Sequence, residues 1–172
     1  EAANYGGGKF YGVSPEQYKA DVEAAGLYPL SSHSTRSLSA DEIKNHDFTE
    51  ALKWWDQAIA DHKAAGIKYI ITPWGECPKN LQDGQTICDY YNAVGEKCNA
   101  AGLKYGYHTH SHEYQKVDGQ PWIQYMMDHV KSQNMFWQMD VYWCVMAGES
   151  PVQWFKKYPR RFKMLHIKDR YE

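Results

Sequence analysis

A short phrase that joins a helix end to a strand recurs three times in this chain, and it constrains the fold more than any other feature. The segments AAGLYPL, AAGIKYI and AAGLKYG begin at residues 24, 64 and 100. In each, two alanines close a helical pattern, a glycine follows where the chain adopts positive φ, and a strand-like run comes next. Joints of this kind indicate consecutive βα units, whose strands pair in parallel.

The periodicity of apolar residues predicts five full strands that alternate with helices. The predicted strands are 27–32, 68–73, 104–108, 135–141 and 162–168, and the predicted helices are 15–25, 49–65, 86–101, 121–130 and 151–158. Residues 34–47 are interpreted as a long polar loop. Because no low-complexity linker interrupts this pattern, residues 1–172 are interpreted as a single α/β domain.

Composition narrows the classes of function. The net charge of −2 provides no basic stripe, so nucleic acid is not an expected partner. No run approaches the about 18 apolar residues of a membrane helix, so no membrane partner is expected. The first residues lack a signal-peptide pattern, and any export signal would lie upstream of them. A localisation in the bacterial cytoplasm and one in the periplasm are therefore both compatible with the sequence. The four cysteines form no CxxC pair and are interpreted as reduced structural thiols.

Ionisable residues stand where three consecutive strands end. Glu113 follows the strand in GYHTHSHEYQ, Asp140 lies in QMDVYW, and His166 lies in MLHIKD. Glu113 and Asp140 are 27 residues apart and Asp140 and His166 are 26 apart, in step with the βα unit. The three groups are therefore expected to converge on a divalent metal, for which manganese, magnesium, cobalt and zinc are all compatible. Alternatively, Asp140 caps the helix that follows it.

These segments resemble the sugar phosphate isomerase/epimerase group of xylose isomerase-like barrels. In that group a strand reading YHxH, with a glutamate a few residues on, is followed by LDVxW and then by LLHIKD. The corresponding residues here are 107–110 with Glu113, 139–143 and 165–169, and the similarity covers essentially the whole chain. The resemblance implies a (β/α)8 TIM barrel with a metal held by Glu113, Asp140, His166 and a glutamate from the last strand.

Measured against that family, the barrel is incomplete. The chain runs from about the end of strand 2 to strand 7 and lacks strands 1 and 8, and with them the fourth metal ligand. An open parallel sheet exposes its edges and its apolar interior. We therefore expect either that the sequence is a piece of a longer protein or that a partner completes the barrel. A homo-oligomer is compatible with the second expectation.

The resemblance also implies a reaction, in which a sugar substrate is isomerised or epimerised through a chelated enediolate intermediate. Glu113 is the candidate general base. Lys168 either neutralises an oxyanion or acts as an acid or base, although a helix-capping or surface lysine is equally compatible. The candidate substrate-binding residues are His33, Trp74, His108, His110 and Trp143, and a core or rim role is the alternative for the histidines. His112 is expected to lie outside the site.

Other functions remain compatible with these residues. The same chemistry permits elimination by a keto-sugar or 3-keto-glycoside lyase or an inosose dehydratase-like enzyme. A sugar-binding barrel remnant without catalysis is a second alternative, and a metal-dependent endonuclease is disfavoured by the charge. The sequence shows no arginine cluster that would bind a phosphate group, so free and phosphorylated sugars are both possible substrates.

Overall fold

The computed structural model describes residues 1–169 and shows an α/β fold built on one parallel sheet. The strands are β1 (Tyr5–Gly6), β2 (Lys9–Phe10), β3 (Ser31–His33), β4 (Tyr69–Thr72), β5 (Lys104–His108), β6 (Lys116–Val117), β7 (Gln120–Pro121), β8 (Phe136–Asp140) and β9 (Phe162–His166). The helices are α1 (Pro15–Ala24), α2 (Ala40–Asn45), α3 (Thr49–Ala64), α4 (Leu81–Ala100), α5 (Trp122–His129), α6 (Val141–Met146) and α7 (Pro151–Lys157), and a 3-10 turn spans His112–Tyr114. Within residues 1–169, none of the helices is long and apolar enough to cross a membrane.

The main sheet has the strand order β3-β4-β5-β8-β9, and every neighbouring pair in it is parallel. Ala2 extends the sheet beyond β3, because its amide donates to the Ser31 carbonyl at 2.8 Å and its carbonyl accepts from the His33 amide at 2.7 Å. Two antiparallel hairpins, β1–β2 and β6–β7, lie outside this sheet. Parallel strands in sequential order, linked through helices, form half of a barrel. The predicted fold, an incomplete TIM barrel, is confirmed.

The three repeated joints share one geometry. Gly26, Gly66 and Gly102 have φ angles of 73°, 75° and 82°. The residue after each glycine donates its amide to the carbonyl five residues earlier, at 2.9 to 3.0 Å. This bond closes a Schellman motif, which satisfies carbonyls at the helix end and turns the chain toward the sheet. The repeat therefore acts as predicted, by sending successive strands in the same direction.

Aromatic side chains fix the helices against the sheet. Trp55 on α3, Trp122 on α5 and Trp137 on β8 are at most 1% exposed. The Trp55 indole donates to the Tyr90 hydroxyl at 2.7 Å, which satisfies its buried N–H. Its ring also meets Tyr105 of β5 edge to face, with 5.5 Å between centroids. Trp55 thus joins α3 to the central strand β5.

Some predicted boundaries were wrong. Residues 27–30, predicted as strand, precede β3, which begins only at Ser31; this stretch contains Pro29, which has no amide for a ladder. The predicted loop 34–47 contains α2, whose capping box joins Ser39 and Glu42. The helix predicted to start at residue 86 starts at Leu81, since Asn80 caps it.

The cysteines are free thiols, as predicted. Cys88, Cys98 and Cys144 are buried, and Cys77 is half-buried. Burial raises the pKa of Cys77 to about 11 and that of Cys98 to about 12. Because the thiolate is the reactive form, these thiols are inert at neutral pH.

Gly95 permits a close approach between α4 and the segment that precedes β8. A Cβ at Gly95 would lie 2.7 Å from the carbonyl carbon of Asn134, which is backbone. Replacing a helical glycine by alanine usually stabilises by about 1 kcal/mol. Here we expect the opposite: the overlap makes Gly95→Ala lower the free energy of unfolding by about 1–3 kcal/mol. Urea denaturation followed by circular dichroism measures the change.

The matched control is Gln82→Ala, an exposed position on the same helix, where the change should stay within about 0.5 kcal/mol. A Gly95→Ala chain as stable as the wild type would contradict the close approach.

Candidate metal centre and active site

Four of the five sheet strands end in an ionisable residue. His33 closes β3, His108 closes β5, Asp140 closes β8 and His166 closes β9. Parallel strands present their carboxyl ends at one edge, so these side chains gather there. β8 stops at Asp140, and Val141, predicted as strand, begins α6 instead.

A register shift in β9 decides which residue faces Asp140. Trp137 pairs with Phe162, but the next residue, Gln138, pairs with Met164, so that Asp140 pairs with His166. β9 thus contains one extra residue relative to β8 at this point, as in a β-bulge. The shift brings the predicted pair of Asp140 and His166 together.

His33, His108 and His166 form a group that we call the histidine cluster. One ring nitrogen from each lies within 4.8 Å of the other two. The ring centroids are 4.5 Å apart for His108 and His166, and 5.3 and 5.8 Å from His33 to these two. Ligand atoms about 2.1 Å from one tetrahedral zinc lie about 3.4 Å apart. Small ring rotations would therefore place three nitrogens on one cation.

Gln138 orients the histidine cluster from within the sheet. Its Oε1 accepts from His108 Nδ1 at 3.0 Å and from His33 Nε2 at 3.2 Å. An amide oxygen only accepts, so His108 carries its proton on Nδ1 and offers the lone pair of Nε2. Gln138 is 3% exposed. Sequence reasoning missed it, although residues 138 and 140, two apart on one strand, must share a face.

Glu1 is one of two carboxylates beside the histidine cluster. Its Oε2 accepts from His166 Nε2 at 2.7 Å, and its Oε1 lies 3.3 Å from His33 Nε2. Burial opposes ionisation of this carboxyl, but His33 and the hydrogen bonds from His166 and Gln138 lower its pKa overall. Glu1 is therefore a carboxylate at neutral pH. It belongs to no motif of the sequence, and only the pairing of Ala2 with β3 places it in the site.

The two oxygens of Asp140 have different surroundings. Its Oδ2 lies 3.9 Å from His108 Nε2 and 4.0 Å from His166 Nδ1. Its Oδ1 accepts from the Trp143 amide at 3.2 Å and caps α6. The helix cap is thus observed, and the other oxygen faces the imidazoles.

Glu113 belongs to a different group of potential ligands from His166. It lies on the 3-10 turn and is fully buried, where its carboxylate accepts from the Tyr107 hydroxyl at 2.9 Å and from the His110 amide at 2.8 Å. Burial raises its pKa, against the influence of nearby donors. The potential ligands grouped with Glu113 are His110 and His112, so the predicted set is not assembled as one group within residues 1–169. The metal-binding and catalytic roles of Glu113 stay predictions.

Two imidazoles at this edge, His108 and His110, have lowered pKa values. Burial lowers the pKa of His108 to about 3, assisted by repulsion from His110, His166 and His33. Burial likewise lowers the pKa of His110 to about 4. Neutral imidazole is the form that binds metals and accepts protons. The site can therefore receive a cation without first losing protons from these two rings.

Aromatic side chains form a rim beside the site. Trp74 is 44% exposed, and its ring centroid lies 4.9 Å from that of His110. Trp143 lies 5.8 Å from His110. The exposed Lys168 holds its ammonium 4.8 Å from the Trp143 ring and 5.0 Å from that of Tyr142. The predicted substrate-binding residues thus share one mouth, although their contacts with substrate stay predictions.

Comparisons with known proteins agree with this architecture. A model of the xylose isomerase-like TIM barrel family matches residues 5–172. Two crystal structures of a sugar phosphate isomerase/epimerase from Parabacteroides distasonis ATCC 8503 are each 29% identical to this chain, with TM-scores of 0.88 and 0.83. Each comparison covers 98% of this chain, and they cover 67% and 62% of the respective crystallised chains. The IolI protein with a binding zinc atom is 14% identical, with a TM-score of 0.68 over 92% of this chain and 58% of that one. Curated protein sequences gave no match. The chain thus spans about two thirds or less of these structures.

The lowered histidine pKa values predict that the free energy of unfolding decreases in acid. Burial lowers the pKa of His62 to about 4, as for His110, and that of His108 to about 3. In the unfolded chain each returns to about 6.5, so unfolding takes up protons. Stability present at pH 7 should therefore fall as the pH drops from about 6.5 to 5, above the range where most carboxylates titrate. Urea unfolding at several pH values, with chelator present, measures this slope.

The variant His108→Gln should flatten that slope. His129→Gln, on the surface at the end of α5, serves as the control and should leave it unchanged. Equal slopes for the wild type and His108→Gln would refute the neutral state of His108.

Proposed function

Because this chain belongs to the xylose isomerase-like TIM barrel family, we propose that it is a metal-dependent isomerase or epimerase of sugars or sugar phosphates. The proposal is carried by the histidine cluster and its two flanking carboxylates at the carboxyl edge of the sheet. Active sites of such barrels lie at that edge. The names of the two relatives at 29% identity support the same reaction class.

The donor set fits a divalent cation. His33, His108 and His166 would hold it, with Asp140 and Glu1 as adjacent oxygen donors. A set rich in imidazole suits zinc or cobalt better than magnesium, which prefers oxygen. The zinc in the IolI structure supports this choice. When bound, the cation would polarise a substrate carbonyl and stabilise the negative charge that develops on its oxygen.

Glu1 is better placed than Glu113 to remove a proton from the carbon next to that carbonyl. A general base must come within hydrogen-bond reach of the proton. The Glu1 side chain is 19% exposed and its pKa is lowered, so it is both accessible and ionised. Glu113 is 0% exposed, so its carboxylate is closed to a substrate in this structure. We therefore assign proton removal to Glu1.

The rim would position the sugar. Trp74 and Trp143 offer flat apolar faces for the C–H face of a sugar ring. Lys168, beside Trp143, supplies a positive charge for an oxyanion or for a phosphate group of the substrate. The His110 ring is close to both indoles and can bind a hydroxyl.

Metal binding tests the role of Gln138. We expect Gln138→Leu to weaken zinc binding by about 10–100-fold, because two imidazoles lose the group that orients them. Loss of the ligand itself in His166→Gln should have a larger effect. Competition with a fluorescent chelator measures the affinity, and His129→Gln is the control. Zinc binding that is unaffected by both Gln138→Leu and His166→Gln would remove the proposed centre.

Hydrogen exchange tests the reaction. Ketoses, their phosphates and 3-keto-glycosides are incubated with the zinc-loaded chain in D₂O, and proton NMR follows the C–H next to the carbonyl. We expect exchange that needs the metal and falls about 10²–10⁴-fold in Glu1→Gln. Loss of a substituent from the substrate would reassign the enzyme as a lyase. Metal and sugar binding without exchange would leave a sugar-binding barrel.

A further inference from the structure

A second group of potential ligands lies just beyond β5. His110, His112 and Glu113 each offer one ligand atom, and these atoms lie within 4.8 Å of one another. The group shares no residue with the histidine cluster. We propose that His110, His112 and Glu113 form a second cation site, selective for zinc or cobalt(II), next to the first.

Buried charge is the first argument for this site. Glu113 is 0% exposed. Among residues 1–169, no lysine or arginine nitrogen lies within 4.0 Å of its carboxylate, and the basic group in that range is His112 Nε2 at 3.2 Å. A buried carboxylate with so little opposing charge is costly. A divalent cation would supply the missing charge at this position.

An unpaired ring nitrogen is the second argument. His110 Nδ1 is shielded from solvent and has no hydrogen-bond partner among the described residues. Nearly all buried polar atoms in native proteins are paired, so each exception needs a cause. Placed beside a buried carboxylate and a second imidazole, this ring is positioned to serve as a ligand. Coordination would compensate for the polar contacts that the ring lacks.

Neighbouring residues contact the group from two sides. The Trp74 ring centroid lies 4.0 Å from that of His112 and 4.9 Å from that of His110. The Gly75 carbonyl accepts from His112 Nε2 at 2.9 Å, so it stands close enough to serve as an oxygen ligand when this nitrogen is deprotonated. A Cβ on Gly75 would lie 2.6 Å from the Tyr91 hydroxyl. Only glycine allows the backbone to approach here.

The donor set indicates the type of cation. Two imidazoles, one carboxylate and a carbonyl oxygen make a four-ligand set that suits zinc, and cobalt(II) shares its ligand preferences. His108 of the first site and His110 of the second are two residues apart, with 4.7 Å between ring centroids. Two cations would therefore be neighbours, as in paired-metal sites that bind both oxygens of one substrate.

Cobalt stoichiometry in the full chain tests this proposal. The metal-free protein is loaded with cobalt(II), freed of excess metal, and analysed by elemental mass spectrometry and visible absorption. We expect two equivalents in the wild type, one in His112→Gln, one in His166→Gln and none in the double variant. The control His129→Gln should keep both. Glu113→Gln, which retains the shape and the acceptor for Tyr107, should also bind one, and thermal melts verify that each variant folds.

The outcomes separate the two sites. One equivalent in the wild type that persists in His112→Gln and disappears in His166→Gln overturns the second site and leaves the proposed function standing. One equivalent that persists in His166→Gln and disappears in His112→Gln supports the second site and removes the proposed metal centre. No bound cobalt in the wild type overturns both.

Discussion

Parallel pairing brings the last residues of β3, β5, β8 and β9 to the same edge of the sheet, and the candidate centre depends on this arrangement. Each strand can supply one side chain at its carboxyl end, because the chain then leaves the sheet for a loop or helix. The glycine-terminated joints maintain the common direction at the opposite edge. The contact between Trp55 and Tyr105 joins α3 to β5. A three-strand imidazole group is therefore a product of backbone direction as much as of residue type.

The features of the fold that short sequence segments determine could be predicted from the sequence. The repeated joints and the five strands follow from patterns a few residues long, repeated in step with the βα unit. The same spacing places Asp140 and His166 on neighbouring strands, but their direct pairing also needs the register shift in β9. The α2 helix was missed although Ser39 and Glu42 form a capping box, because its six residues bury no side chain and so lack an apolar stripe.

The composition of the ligand groups could not be predicted in the same way. A 3-10 turn brings Glu113 to the Tyr107 hydroxyl, and no motif encodes that contact. The place of Glu1 depends on pairing between Ala2 and β3, segments about 30 residues apart. His112, expected outside the site, stands beside Glu113 through the same turn. Such positions follow from tertiary contacts, which single-sequence patterns do not contain.

The register shift in β9 has a chemical consequence. In a regular ladder continued from the pairing of Trp137 with Phe162, Asp140 would stand opposite Leu165, and an apolar side chain would take the position of the imidazole. One extra residue in an edge strand thus determines whether the carboxylate meets a metal-binding ring or a hydrocarbon. Along such a strand, insertion or deletion of a single residue can create or abolish chemistry while the barrel scaffold survives, which gives evolution a route to new activities without a new fold.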